Sequence, residues 1–149
     1  MTNRSLACAL LLAACFATPV AAAAADVYAV LIDGRQLSDN PRDVGAVKSG
    51  GVVYVDAIMM TKAFSGLLTF HTGGKEAVVT IEQRNATFTV GRPVADLDLG
   101  TMHMSGAPFM YDGDMFVPAS AFARFARAKL AIDPKSHVVS FTTAHPPAS

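Results

Sequence analysis

Tyr111-Asp112-Gly113-Asp114-Met115-Phe116-Val117-Pro118, with the run that follows it to Thr142, decides the fold. Asp112-Gly113-Asp114 is a turn signal between strand candidates at 107–111 and 115–117, because Gly supplies the positive φ that a tight hairpin turn needs. Pro118 suits the first turn of a helix, where its missing amide proton would be unpaired anyway. ASAFARFARA (119–128) predicts that helix, with Phe122, Phe125 and Ala126 on one face at i, i+3 and i+4. Arg124, Arg127 and Lys129 fall elsewhere, suited to solvent and to the negative C-terminal end of the dipole. A strand at 130–132, the turn Asp133-Pro134-Lys135-Ser136 and a strand at 138–142 complete the unit.

The same plan reads upstream. A strand at 27–32 leads into the hairpin signal Asp33-Gly34, and Ser49-Gly50-Gly51 turns the chain into a strand at 52–55. Asp56 stands where a helix N-cap stands, its carboxylate available to orphan amide protons. AIMMTKAF (57–64) predicts a two-turn helix, stopped by Ser65-Gly66. In it Met59 and Met60, about 100° apart, put one side chain in the core and one partly in solvent. A strand at 67–72, a tight turn at Gly73-Gly74, a return strand at 76–83 and a further strand at 86–90 follow. Tyr54-Val55 aligns with Phe116-Val117, Lys62 with Arg124, Leu68 with Leu130 and Phe70 with Ile132. The expectation is one α+β domain: antiparallel strands packed around two short helices, built from two similar β-α-β-β halves at about 27–90 and 91–143. The tail 144–149 is expected to fray.

The unit resembles the copper amine oxidase N-terminal-like domain, a stalk-type domain. Its pattern is a hydrophobic strand, a turn such as D-G, an aromatic or aliphatic pair before Val-Pro, a short helix, and two strands around a D-x-x-K turn. Residues 111–118 and 133–141 carry that pattern through Gly113, Pro118 and Asp133. The first unit departs from it: Asp56 replaces the usual Pro, and Gly73-Gly74 replaces the D-x-x-K turn. The resemblance spans roughly 27–143. It implies an α+β fold and an extracytoplasmic setting. It does not imply oxidase chemistry, which in that family resides in a separate, larger domain with a modified tyrosine; no T-x-x-N-Y motif surrounds Tyr28, Tyr54 or Tyr111.

Composition sets the compartment. The chain has 149 residues, 52% hydrophobic, with 12 basic and 12 acidic side chains. Zero net charge argues against a nucleic-acid module. Residues 1–25 hold 19 hydrophobic residues, with Arg4 as a positive start, an apolar run at 6–16, and Pro19 before the alanines at 21–25. That is the layout of a secretory signal peptide, and its apolar run is shorter than the roughly 20 residues of a spanning helix. Removing it predicts a secreted or periplasmic chain of 124 residues with net charge −1, no transmembrane segment and no cysteine. Leu12-Ala13-Ala14-Cys15 offers an alternative, a lipobox that would anchor the protein through Cys15. The short apolar stretch before Cys15, and Pro19 with the alanines after it, favour ordinary cleavage.

Few residues offer chemistry. Met102-His103-Met104, with Met110, is a soft donor set that would suit copper. In a strand Met102 and Met104 would face one side and His103 the other, so the set converges only if 100–106 is a loop; otherwise these methionines fill core positions. His71, His103, His137 and His145 have no zinc spacing, though His71 and His137 sit beside equivalent turns. Asp96/Asp98 and Asp112/Asp114 read as solvated turn acids rather than a hydrolase pair, which needs two carboxylates across a cleft. No G-x-S-x-G or phosphate loop occurs, so no catalytic residue and no cofactor are expected, copper being the alternative. The expected function is a non-catalytic binding or scaffolding module of the cell envelope, partnered by an envelope protein or a cell-wall glycan. Exposed aromatics such as Tyr28 or Tyr111 are its candidate contacts, with Tyr54 placed in the core.

Overall fold

Alternation in Val27-Tyr28-Ala29-Val30 sends Tyr28 and Val30 inward, and the computed structural model, which describes residues 26–144, builds β1 (Asp26–Ile32) on that pattern. Asp33 and Gly34, both at positive φ (49° and 77°), turn it into the two-residue β2 (Arg35–Gln36). β3 (Ala46–Ser49) and β4 (Val52–Asp56) form a hairpin across Gly50-Gly51. Helix α1 (Ala57–Ala63) follows directly. Then come β5 (Leu67–His71), a short 3-10 turn at Thr72–Gly74, β6 (Glu76–Ile81), β7 (Arg84–Thr89), β8 (Val94–Leu97) and β9 (Gly100–His103). β10 (Phe109–Tyr111) and β11 (Asp114–Pro118) lead into α2 (Ala119–Ala126), and β12 (Lys129–Asp133) and β13 (Val138–Thr142) close the chain.

The strands make two sheets. One runs β10-β11-β4-β3-β1-β13-β12, with β2 paired to β1; the other runs β5-β6-β7-β8-β9. The β1–β13 pairing is parallel and the rest are antiparallel. With two helices, this is the expected α+β class. No helix among the described residues is long and apolar enough to cross a membrane.

Both helices press into one core shared by the two sheets. Phe122 of α2 lies edge-on to Phe141 of β13 and to Phe64 just after α1, at 6.4 and 5.6 Å between ring centres. Phe125 meets Phe88 of β7 at 6.5 Å. Phe122, Phe88 and Met60 have no exposed surface, and each contributes about 1.5–3 kcal/mol by leaving water. A second cluster lies on the other face of the first sheet, where Tyr54, Phe116 and Val47 pack with Phe109 and Tyr111. β4 and β11 are thus buried on both faces, which is why Val53-Tyr54-Val55 and Met115-Phe116-Val117 are unbroken apolar runs.

β4 and β11 lie side by side, with Val55 opposite Val117 and Asp56 opposite Phe116. Each leads straight into a helix, then an edge strand, a turn and a return strand. Differences from the sequence reading have local causes. The strand expected at 76–83 stops at Ile81, because Glu82 and Gln83 form the β6–β7 turn at φ 48° and 63° without the Gly or Asn that marks such turns. α2 ends at Ala126 rather than 128: Arg127 adopts the left-handed conformation, and Ala128 N–H donates back to the Ala123 carbonyl. Pro118 is the N-cap and last residue of β11, one place before the first helical turn. β2, β3, β8 and β9 are added to the expected strands.

Candidate functional site

Asp56 ends an otherwise apolar strand and is 2% exposed. Its Oδ1 accepts the N–H groups of Ile58 (2.8 Å) and Met59 (3.1 Å), which fixes the start of α1 where β4 runs out. Pro118, its counterpart at the start of α2, supplies no side-chain cap. Asp114, two residues before Asp56's cross-strand neighbour Phe116, brings a second carboxyl to the same place. Burial pushes the Asp56 carboxyl up to about 6; the Met59 and Ile58 amides oppose this, and the charge and hydrogen bond of Asp114 add to it. The pair opens on a cleft of about 320 Å³ whose rim carries Arg42, Asp43, Tyr111 and Asp112. Asp56 therefore keeps its proton up to about pH 6.

The residues singled out in the sequence fall as follows. β9 is a strand, so Met102 turns into the core at 4% exposure and His103 turns to solvent. Met104 packs half-buried against the core beyond the strand end, and Met110 stands on β10 in the other sheet, 44% exposed. The loop that would let Met102, His103 and Met104 converge is thus replaced by β-structure. Among the described residues, no three His, Cys, Asp or Glu side chains are grouped to hold a metal ion.

The acidic pairs are divided. Asp96 lies in β8 and ion-pairs with Arg92 at 2.6 Å. Asp98 accepts from the backbone N–H and then the side-chain amide of Asn85, which hold its carboxyl below the ordinary range. Asp112 stays in the β10–β11 turn, while Asp114 faces Asp56. His71 ends β5 and is exposed, whereas His137, beside the equivalent turn, packs on Tyr28 with ring centres 5.0 Å apart. Tyr28, expected as an exposed contact, is 2% exposed because alternation in β1 points it inward; Tyr111 is half-buried. Met60 is in the core and Met59 is half-buried, as expected. Gly73, Gly74 and Gly113 hold positive φ in turns. Asp133 accepts hydrogen bonds from Ser136 and Lys135, which lower its pKa and tie the β12–β13 turn. Arg4, Cys8, Cys15 and His145 lie outside the described residues.

The family model for the copper amine oxidase N-terminal domain matches residues 31–141, from the end of β1 into β13. The chain belongs to that family. In copper amine oxidases this domain is a non-catalytic module. No curated protein and no solved structure matches the chain. Within this copper amine oxidase N-terminal domain the pairing of buried Asp56 with half-buried Asp114 is a feature that sequence reading missed. Its signal was available: a carboxylate closing the apolar run Val52-Val53-Tyr54-Val55, where the family pattern has Pro.

Proposed function

We propose that the chain is a secreted or periplasmic, non-catalytic binding or scaffolding module of the cell envelope, built from two similar halves. The observation that carries this is the family match over 31–141, to a domain that is non-catalytic in its parent enzyme. The signal-like leader supports export. The order β-helix-β-β after both β4 and β11, and the Val55–Val117 pairing between them, support the two-halves reading.

A docking role draws support from the sheet edges. β5 and β12, which hold corresponding places in the two halves, are edge strands that present Leu67, Phe70 and Ile132 at 67%, 38% and 42% exposure. Edge strands offer unpaired backbone groups to another chain. Pull-down from envelope extract and sedimentation with peptidoglycan test the role. The expected result is saturable retention of one protein or polymer, and no retention in either assay would contradict it.

A further inference from the structure

The groove between the β8–β9 turn and the C-terminal end of α2 combines apolar walls with a cationic rim. Leu97, Leu99, Met102 and Phe125 wall a space of about 490 Å³. Leu99, at the turn, is 99% exposed. Arg84, Arg124 and Arg127 stand around it. Arg84 is engaged: it donates to the Phe125 carbonyl and to Glu82, and its guanidinium lies over the Phe125 ring. Arg124 reaches the His103 carbonyl at 3.3 Å, a long and exposed bond. Neither Arg124 nor Arg127 has an ion-pair partner among the described residues. The acid in the lining, Asp98, directs both oxygens to Asn85. Two arginines outside any ion pair among the described residues therefore line an otherwise largely apolar groove.

Guanidinium forks match carboxylate and phosphate oxygens, and a small-molecule cleft is typically apolar with a few placed polar groups. We propose that this groove binds a single-chain anionic amphiphile, with its head group on Arg124 and Arg127 and its alkyl chain over Leu97 and Leu99. The alkyl chain would cover Leu99, which is 99% exposed. At about 490 Å³ the open groove has the volume of a small-molecule cleft, so the occupant is a single amphiphile rather than a bilayer. The inference rests on the reading of the chain as a binding module and names a ligand class for it.

Dodecanoate, titrated below its micellar concentration into the purified protein by calorimetry, tests the groove. The expected result is saturable 1:1 binding, weakened about tenfold or more in Arg124→Ala/Arg127→Ala and retained within a few-fold in Arg124→Lys/Arg127→Lys. Leu99→Asp is expected to weaken binding similarly, and thermal melts matched to wild type confirm that each variant is folded. No saturable binding, or undiminished binding by a folded Arg124→Ala/Arg127→Ala variant, overturns the proposal. So does retention on phosphatidylglycerol vesicles without binding of monomeric dodecanoate, which would make this a bilayer-contacting surface. A blank dodecanoate titration beside a retained envelope partner defeats the groove alone; blanks in both assays defeat the binding-module reading as well.

Discussion

Replacing Asp56 by Asn should stabilise the protein at neutral pH, although the aspartate caps a helix. Burial and Asp114 raise the Asp56 carboxyl from 3.8 to about 6 in the folded chain. A raised acid binds its proton more tightly when folded, so its stabilising contribution is complete below about pH 4 and fades as pH rises through 6. Each pKa unit corresponds to 1.36 kcal/mol, so the ionised carboxylate costs about 3 kcal/mol above pH 7 relative to the protonated one. Asn has the same shape, caps helices as well as Asp does, and can donate from its amide to Asp114. The expected gain for Asp56→Asn is about 1–3 kcal/mol at pH 7.5, shrinking toward zero near pH 4, since the neutral cap loses the charge-assisted part of its bonds. Because burial is the larger cause, Asp114→Asn should recover less than Asp56→Asn. Asp98 and Asp133, whose carboxyls are held low, lose their contribution only as pH falls below the ordinary range, so they do not mask the window from 4 to 6. Urea unfolding at half-unit steps from pH 4 to 8 measures all of this. A wild-type stability that rises between pH 4 and 7, or an Asp56→Asn variant weaker than wild type at pH 7.5, would refute the reasoning.

Three other substitutions probe the packing. Gly66→Ala places a Cβ 2.6 Å from the Thr80 carbonyl and 2.9 Å from Ile81, and should destabilise by about 1–3 kcal/mol in urea unfolding. Gly106→Ala drives a Cβ into the Tyr54 hydroxyl; a double-mutant cycle with Tyr54→Phe should return part of the loss, and strict additivity would contradict the contact. Met102→Ala should cost about 2–5 kcal/mol in thermal or urea unfolding, because Met102 is core, and a loss under 0.5 kcal/mol would argue against that placement.

Punctuation made much of the fold legible. Asp33-Gly34 and Asp112-Gly113 fixed two hairpins, and the Phe122–Phe125 spacing gave α2 its buried face. β8 and β9 were hidden because four-residue strands flanked by Asp98-Leu99-Gly100 carry too few residues for alternation to show. The turn at Glu82-Gln83 was hidden because neither residue is one that favours positive φ. Site residues were harder still. Asp56 was readable as a cap, but Asp114 reaches it only through the β4–β11 pairing, across nearly sixty residues of chain. Arg84 and Arg124 meet one groove only once β7 packs near the end of α2, a juxtaposition that local sequence does not carry.

We propose that this copper amine oxidase N-terminal domain works by binding, as befits a module that is non-catalytic in its parent enzyme. Its most direct test is co-sedimentation of the purified protein with fractionated cell envelope, followed by recombination with the purified component it selects. The expected result is saturable association with one envelope protein or glycan, and no chemical change in that component. Failure to associate with any fraction, or turnover of the component it meets, would contradict it.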